Sequence, residues 1–157
     1  MAIINAQVTV GSDISSSGLT INKTMTLKKA GNTAGLDFTT GLAKRSFVNT
    51  NQVDLLTAGT GIAADVTADK SAKLYIKNVG TDSSTYFIIG KGDSSGGVSE
   101  TVINSDGTAY YRIGRLYGQD WMLIPWDAAS TTGDITIQAS VATAAAPMHV
   151  EYIVFYE

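Results

Sequence analysis

Ile113-Gly-Arg-Leu-Tyr-Gly-Gln-Asp-Trp-Met-Leu-Ile-Pro-Trp126 is the stretch on which the fold turns. Gly118-Gln-Asp120 carries turn chemistry between two runs that read as strands, Ala109–Leu116 and Trp121–Trp126. In the second run Trp121, Leu123 and Pro125 share one face, and Met122, Ile124 and Trp126 share the other. The same grammar repeats outward. Lys73–Val79, Thr85–Lys91, Glu100–Ile103, Asp134–Val141 and Met148–Tyr156 read as further strands. Gly80-Thr-Asp-Ser-Ser, Gly92-Asp-Ser-Ser-Gly-Gly97, Asp106-Gly107, Ala128 to Gly133 and Ala144 to Pro147 separate them. Asp-Gly is a strong hairpin cue, because its turn needs positive φ. Many short strands at this spacing indicate an all-β sandwich or barrel, not alternating β and α.

Met148–Tyr156 is apolar on both faces toward its end: Met148, Val150, Tyr152, Val154 and Tyr156 on one, Ile153 and Phe155 on the other. A strand of that kind is expected to be central or covered by a partner.

The first half reads differently. Ile3–Val10 suggests an opening strand, followed by the turn-rich Gly11 to Gly18. Leu19, Ile21, Met25 and Leu27 then alternate with Thr20, Asn22, Thr24 and Thr26, a half-buried strand. Lys23 interrupts the apolar face as inward charges do at sheet edges. From Lys28 to Asn51 the pattern dissolves. Two readings stay open there: an extended arm that orders on a neighbour, or a long surface loop with a short strand near Phe47-Val48. Gln52–Thr57 gives a short strand, Gly59-Thr-Gly61 a turn, and Ile62–Lys70 at most one helical turn. The expected division is residues 1–52 as N-terminal strands and extended arm or loop, and 53–157 as the β-sandwich domain.

Composition bounds the task. A chain of 157 residues is expected to be one domain with core enough to need no disulfide, and it has no cysteine. Charged residues make up 16%, against about 25% in typical soluble domains. Low surface charge suits a protein packed against neighbours. Residues 1–74 carry seven basic and five acidic side chains, residues 75–157 four and nine. Only Phe38 and Phe47 of thirteen aromatics precede Tyr75, so the second half is expected to build the core. A net charge of −3 argues against nucleic acid as the main partner, and no apolar run is long enough for a membrane span. No secretory signal is visible at the start.

Reactive constellations are sparse. Gly92 to Gly97 looks like the segment around a protease nucleophile, but Ser94 and Ser95 precede the one imidazole, His149, in the wrong order. Asn104-Ser-Asp106-Gly107 echoes half a calcium loop, yet Arg115 stands where the bidentate Glu belongs. His149 lacks a second His or Cys for a metal site. Asp82, Asp93, Asp106, Asp120, Asp127 and Asp134 sit in turns, where Asp bonds its own backbone. We therefore expect no catalytic residues, no cofactor and no metal. Trp121, Trp126, Tyr110, Tyr111 and Tyr117 cluster, and serve either as core or subunit interface or as an exposed platform that stacks on sugars.

Ala72-Lys-Leu-Tyr-Ile-Lys-Asn-Val-Gly80, the stretch from Ile113 to Trp126, Asp134-Ile-Thr-Ile-Gln-Ala-Ser-Val141 and Val150-Glu-Tyr-Ile-Val-Phe-Tyr156 together resemble small virion structural proteins of tailed, marine podovirus-like bacteriophages. The resemblance covers roughly Lys73 to Glu157 and is one of strand pattern. It implies a jelly-roll-like antiparallel sandwich acting as a capsid decoration or cement protein. The implied partners are the major capsid protein of the same particle and further copies of itself, commonly as a trimer. The implied location is the capsid surface of the virion, after synthesis in the host cytoplasm. A phage tail or fibre-associated glycan-binding module is the alternative.

Overall fold

A computed structural model describes residues 4–12, 19–29, 31, 33–60, 70–92, 111–128 and 133–157. Among them every regular element is a strand. β1 (Asn5–Ser12) and β2 (Leu19–Thr26) form one hairpin. The body contains β3 (Phe38–Thr39), β4 (Ala43–Phe47), β5 (Val53–Leu56), β6 (Ala72–Asn78), β7 (Tyr86–Lys91), β8 (Tyr111–Tyr117), β9 (Trp121–Trp126), β10 (Ile135–Ala139) and β11 (Met148–Tyr156).

Two antiparallel sheets make the body an all-β sandwich. One has the order β5-β10-β7-β8; the other has β11 between β6 and the successive edge strands β3 and β4, with β9 beyond β6. The pairing is nested. β7 pairs with β8, β6 with β9, β5 with β10 and β4 with β11, all antiparallel. Two more ladders, β6 with β11 and β7 with β10, close this long folded hairpin into a roll. Eight strands wound in this order make a jelly roll.

Alternation drives the packing. Along β6 the side chains alternate buried and half-buried, with Leu74 and Ile76 fully covered. Phe87 and Ile89 face them from the second sheet, with Ile137, Val150 and Val154 also fully buried. Each such side chain contributes roughly 1.5–3 kcal/mol relative to exposure. Phe47 meets Phe87 edge-on at 5.2 Å, so β4 is part of this core.

That placement bears on the leading segment. The boundary expected at 52/53 falls between β4 and β5, both strands of the sandwich. Residues 38–47 lie along β11 as one edge strand broken by a bulge. Gly41 takes φ of 72° there, and Thr40 exchanges bonds with Val154. Arg45 donates to the Asp54 carbonyl and lies over the Phe47 ring, joining the two sheets at that end. Most of the stretch from 28 to 52 therefore docks on its own domain. The helical turn expected at Ile62–Lys70, apart from Lys70, and the strand expected at Glu100–Ile103 lie outside the described residues.

The same end, one strand beyond β11, is held by a knot of polar contacts around the turn after β8. Asn78, buried on the core face of β6, donates through Nδ2 to the Leu116 carbonyl of the other sheet, and its Oδ1 accepts from the Gly80 N–H. Its backbone exchanges bonds with Gln119 and Asp120. Gln119 has φ of 70° and holds the Val79 and Gly80 carbonyls through its amide. Gly118 lies so close to the next connection that a Cβ would stand 2.6 Å from the Asp82 carbonyl oxygen. Gly118→Ala should cost about 1–3 kcal/mol, the usual range for overpacking. A thermal midpoint equal to that of the native chain would disprove this account of the turn.

Candidate interaction surfaces

Two surfaces stand out once the core is subtracted. The first is the β1–β2 ribbon, whose strands pair with no other strand among the described residues. Residues directly opposite in an antiparallel pair share a face. Ala6, Val8 and Val10 lie opposite Met25, Lys23 and Ile21, giving an apolar face with one central ammonium. Asn5, Gln7 and Thr9 lie opposite Thr26, Thr24 and Asn22, giving a polar face. The polar face is knitted across the strands by Thr26 donating to Asn5 and Gln7 donating to Asn22. The apolar face lies open: Met25 is 53% exposed, Val10 44% and Ile21 41%.

The ribbon is fixed at its root. Leu27 donates to the Ile4 carbonyl and accepts from the Leu36 N–H, and both leucines are fully buried outside the main core. Lys29 pairs with Asp37 beside them.

The second surface is the outer face of the sheet that holds β9, β6 and β11. At the ribbon root it forms a groove of about 340 Å³, floored by Tyr75, Trp121, Leu123, Ile153 and Phe155. Trp121 is 47% exposed and tilts against Tyr75 at 6.0 Å. The register sets a transverse row beside this floor: Lys44 of β4, Glu151 of β11, Lys77 of β6 and Trp121 of β9. Glu151 closes no ion pair with either lysine. Burial, and then the Glu151 charge, push the Tyr75 hydroxyl above its ordinary pKa, so it remains a proton donor.

The residues singled out from sequence separate cleanly. Trp126 is buried, its Nε1 donating to the Gly133 carbonyl at 2.7 Å, while Trp121 lies on the outer face. Tyr117 is on the outer face of the other sheet against Tyr86, which also carries the Arg115 guanidinium. Three of the turn carboxylates serve the backbone. Asp134 accepts from the Ala58 N–H and Asp120 from the Tyr117 N–H. Hydrogen bonds from the Ser84 hydroxyl, and then from its N–H, hold the Asp82 carboxyl below the usual carboxylate range. His149 faces Ser46 on the neighbouring strand, with Nδ1 buried and lacking a hydrogen-bond partner. Ser94, Ser95, Asp93, Asn104, Asp106 and Tyr110 lie outside the described residues. Among the described residues no group of three or more His, Asp or Glu could hold a metal ion, and no helix is long and apolar enough to cross a membrane.

No family model, no curated protein and no solved structure matches the chain.

Proposed function

We infer that this chain is a virion structural protein of a tailed bacteriophage, a capsid decoration protein that self-associates and braces the shell without turning over a substrate. The observation that carries the reading is the amphipathic ribbon rooted on a stiff jelly roll. An isolated two-stranded hairpin is marginal in water. One that leaves its apolar face open is completed by a neighbour, which here is a subunit of the same particle.

Magnitude sets how it acts. Two strands of eight residues cover roughly 27 Å by 10 Å, on the order of 270 Å² on one face. A stable interface takes about 800 Å² from each partner. The ribbon is therefore one of several contacts, made strong by being repeated around an oligomer and across a shell. Exposed Phe38, Leu42 and Val48 flanking the β3–β4 edge offer apolar surface for the rest. The jelly roll supports the reading in a second way, since two packed sheets give a rigid block whose edges and connections are free to vary. Major capsid protein and further copies of the chain, as a trimer, are the partners that follow.

Removing residues 1–26 tests this while leaving all eight sandwich strands in place. A cut at 52 would instead take away β4 and part of the core. The truncated chain should unfold as cooperatively as the full one yet lose its place on particles, read as subunit copy number by quantitative mass spectrometry. Unchanged occupancy would reject the anchoring role.

A further inference from the structure

We propose that the outer face beside the groove at the ribbon root is a saccharide-binding site, taking a neutral chain of pyranose rings laid across β9, β6 and β11 from Trp121 at the groove's rim. A pyranose presents one face of C–H groups and a rim of hydroxyls that each donate and accept. A site for it needs a flat apolar platform with a donor and an acceptor beside it. Pockets that orient small ligands combine aromatic walls with a few placed polar groups in this way.

The platform is Trp121, with Tyr75 tilted beside it. An indole this open on a sheet face is unusual for the largest apolar side chain, which commonly occupies core or interface. The donor and acceptor are Lys77 and Glu151, placed one and two strands away in the same row. Adjacent strands are spaced about 4.8 Å, so the row from Trp121 to Glu151 spans on the order of 10 Å, the length of two linked rings. One ring then stacks on Trp121 while the hydroxyls of the next meet the Lys77 ammonium and the Glu151 carboxylate. Both of these are half-buried, and neither makes a side-chain hydrogen bond or ion pair with the rest of the described chain. Tyr75 stands two residues before Lys77 on the same face of β6, paired in register with Ile153 and Leu123. The side chains are thus held by the sheet with their polar capacity unspent, which favours a polar ligand over a purely apolar one.

Ile4 to Val8 and Leu27, from the ribbon and its root, form the other wall of the groove, but sugar binding and particle occupancy are separate readouts, so either reading can fail alone. The test titrates the full-length chain with the methyl glycosides of glucose, galactose and mannose and with maltose, lactose and cellobiose, following tryptophan emission and isothermal heat. Trp126 is buried and bonded, so Trp121 is the responsive fluorophore. A saturable change at millimolar sugar is expected, stronger for disaccharides than for methyl glycosides. Trp121→Ala should abolish it with thermal stability kept, since the side chain is exposed. Glu151→Gln should weaken binding by about tenfold, the value of one charge-assisted hydrogen bond of about 1.4 kcal/mol. No saturable response to any of the sugars overturns the proposal, as does Trp121→Ala binding like the native chain. Dissociation of the oligomer by Trp121→Ala, with no sugar bound by the native chain, also overturns it and gives this face to a second copy.

Discussion

Phe87→Ala should lower the unfolding free energy by about 3–5 kcal/mol, the range for truncating a fully buried phenylalanine. Phe87 sits on the inner face of β7 with none of its surface exposed and meets Phe47 of the opposing sheet. Its removal opens a void where the sheets touch, and that void cannot close without moving β4 and β7 together. Domains are stable by only about 5–15 kcal/mol, so the variant would be marginal at room temperature. Urea unfolding followed by far-ultraviolet circular dichroism measures the loss, with an unchanged denaturant slope marking a true stability effect. A loss below about 1 kcal/mol would mean that the two sheets do not meet at this ring.

Asn78→Ala is expected to be nearly as severe for a different reason. Its carboxamide answers the Leu116 carbonyl of one sheet and the Gly80 N–H of the connection leaving the other. Alanine would leave both without their partner, and a buried backbone group without one costs about 1–3 kcal/mol. Gly80 is only partly buried, so water recovers some of its share. Asn78→Asp separates the effects. A buried carboxylate still accepts from Gly80 but turns a charged oxygen on the Leu116 carbonyl, so the aspartate variant should be no more stable than alanine at neutral pH and should recover as pH falls and the acid form donates to Leu116. Equal stability of all three chains by calorimetry would remove Asn78 from the links between the sheets.

How much of this was legible depends on how far each signal was local. The bounds of β9 and β11 agree with the expected Trp121–Trp126 and Met148–Tyr156, because uninterrupted apolar runs ended in turn chemistry mark strands well. β11 is also central, as its two apolar faces imply. β4 was obscured: Ala43-Lys-Arg-Ser-Phe47 holds one large apolar residue, and its Arg45 behaves as a core-edge residue by spending its charge on a carbonyl and a ring. Alternation puts Asn78 on the face of Leu74 and Ile76, but nothing local shows that the Leu116 carbonyl of the other sheet will meet its amide there. Trp121 and Trp126 could not be told apart either. Both faces of β9 are apolar, and only the second sheet decides which one is inside. The division of ribbon faces, by contrast, follows from simple alternation once β1 and β2 are in register.

The nested ladders also set a timetable. Partners on β7 and β8 are the nearest in sequence, whereas those on β4 and β11 are separated by roughly a hundred residues, so loop closure grows costlier from the innermost pair to the outermost. β11 fills the gap between β4 and β6, and the ribosome must reach residue 156 before that gap can close. A chain made only as far as β10 thus leaves the inner faces of both sheets uncovered. The sandwich is completed in one late step, when β11 slots between β4 and β6 and zips both ladders at once.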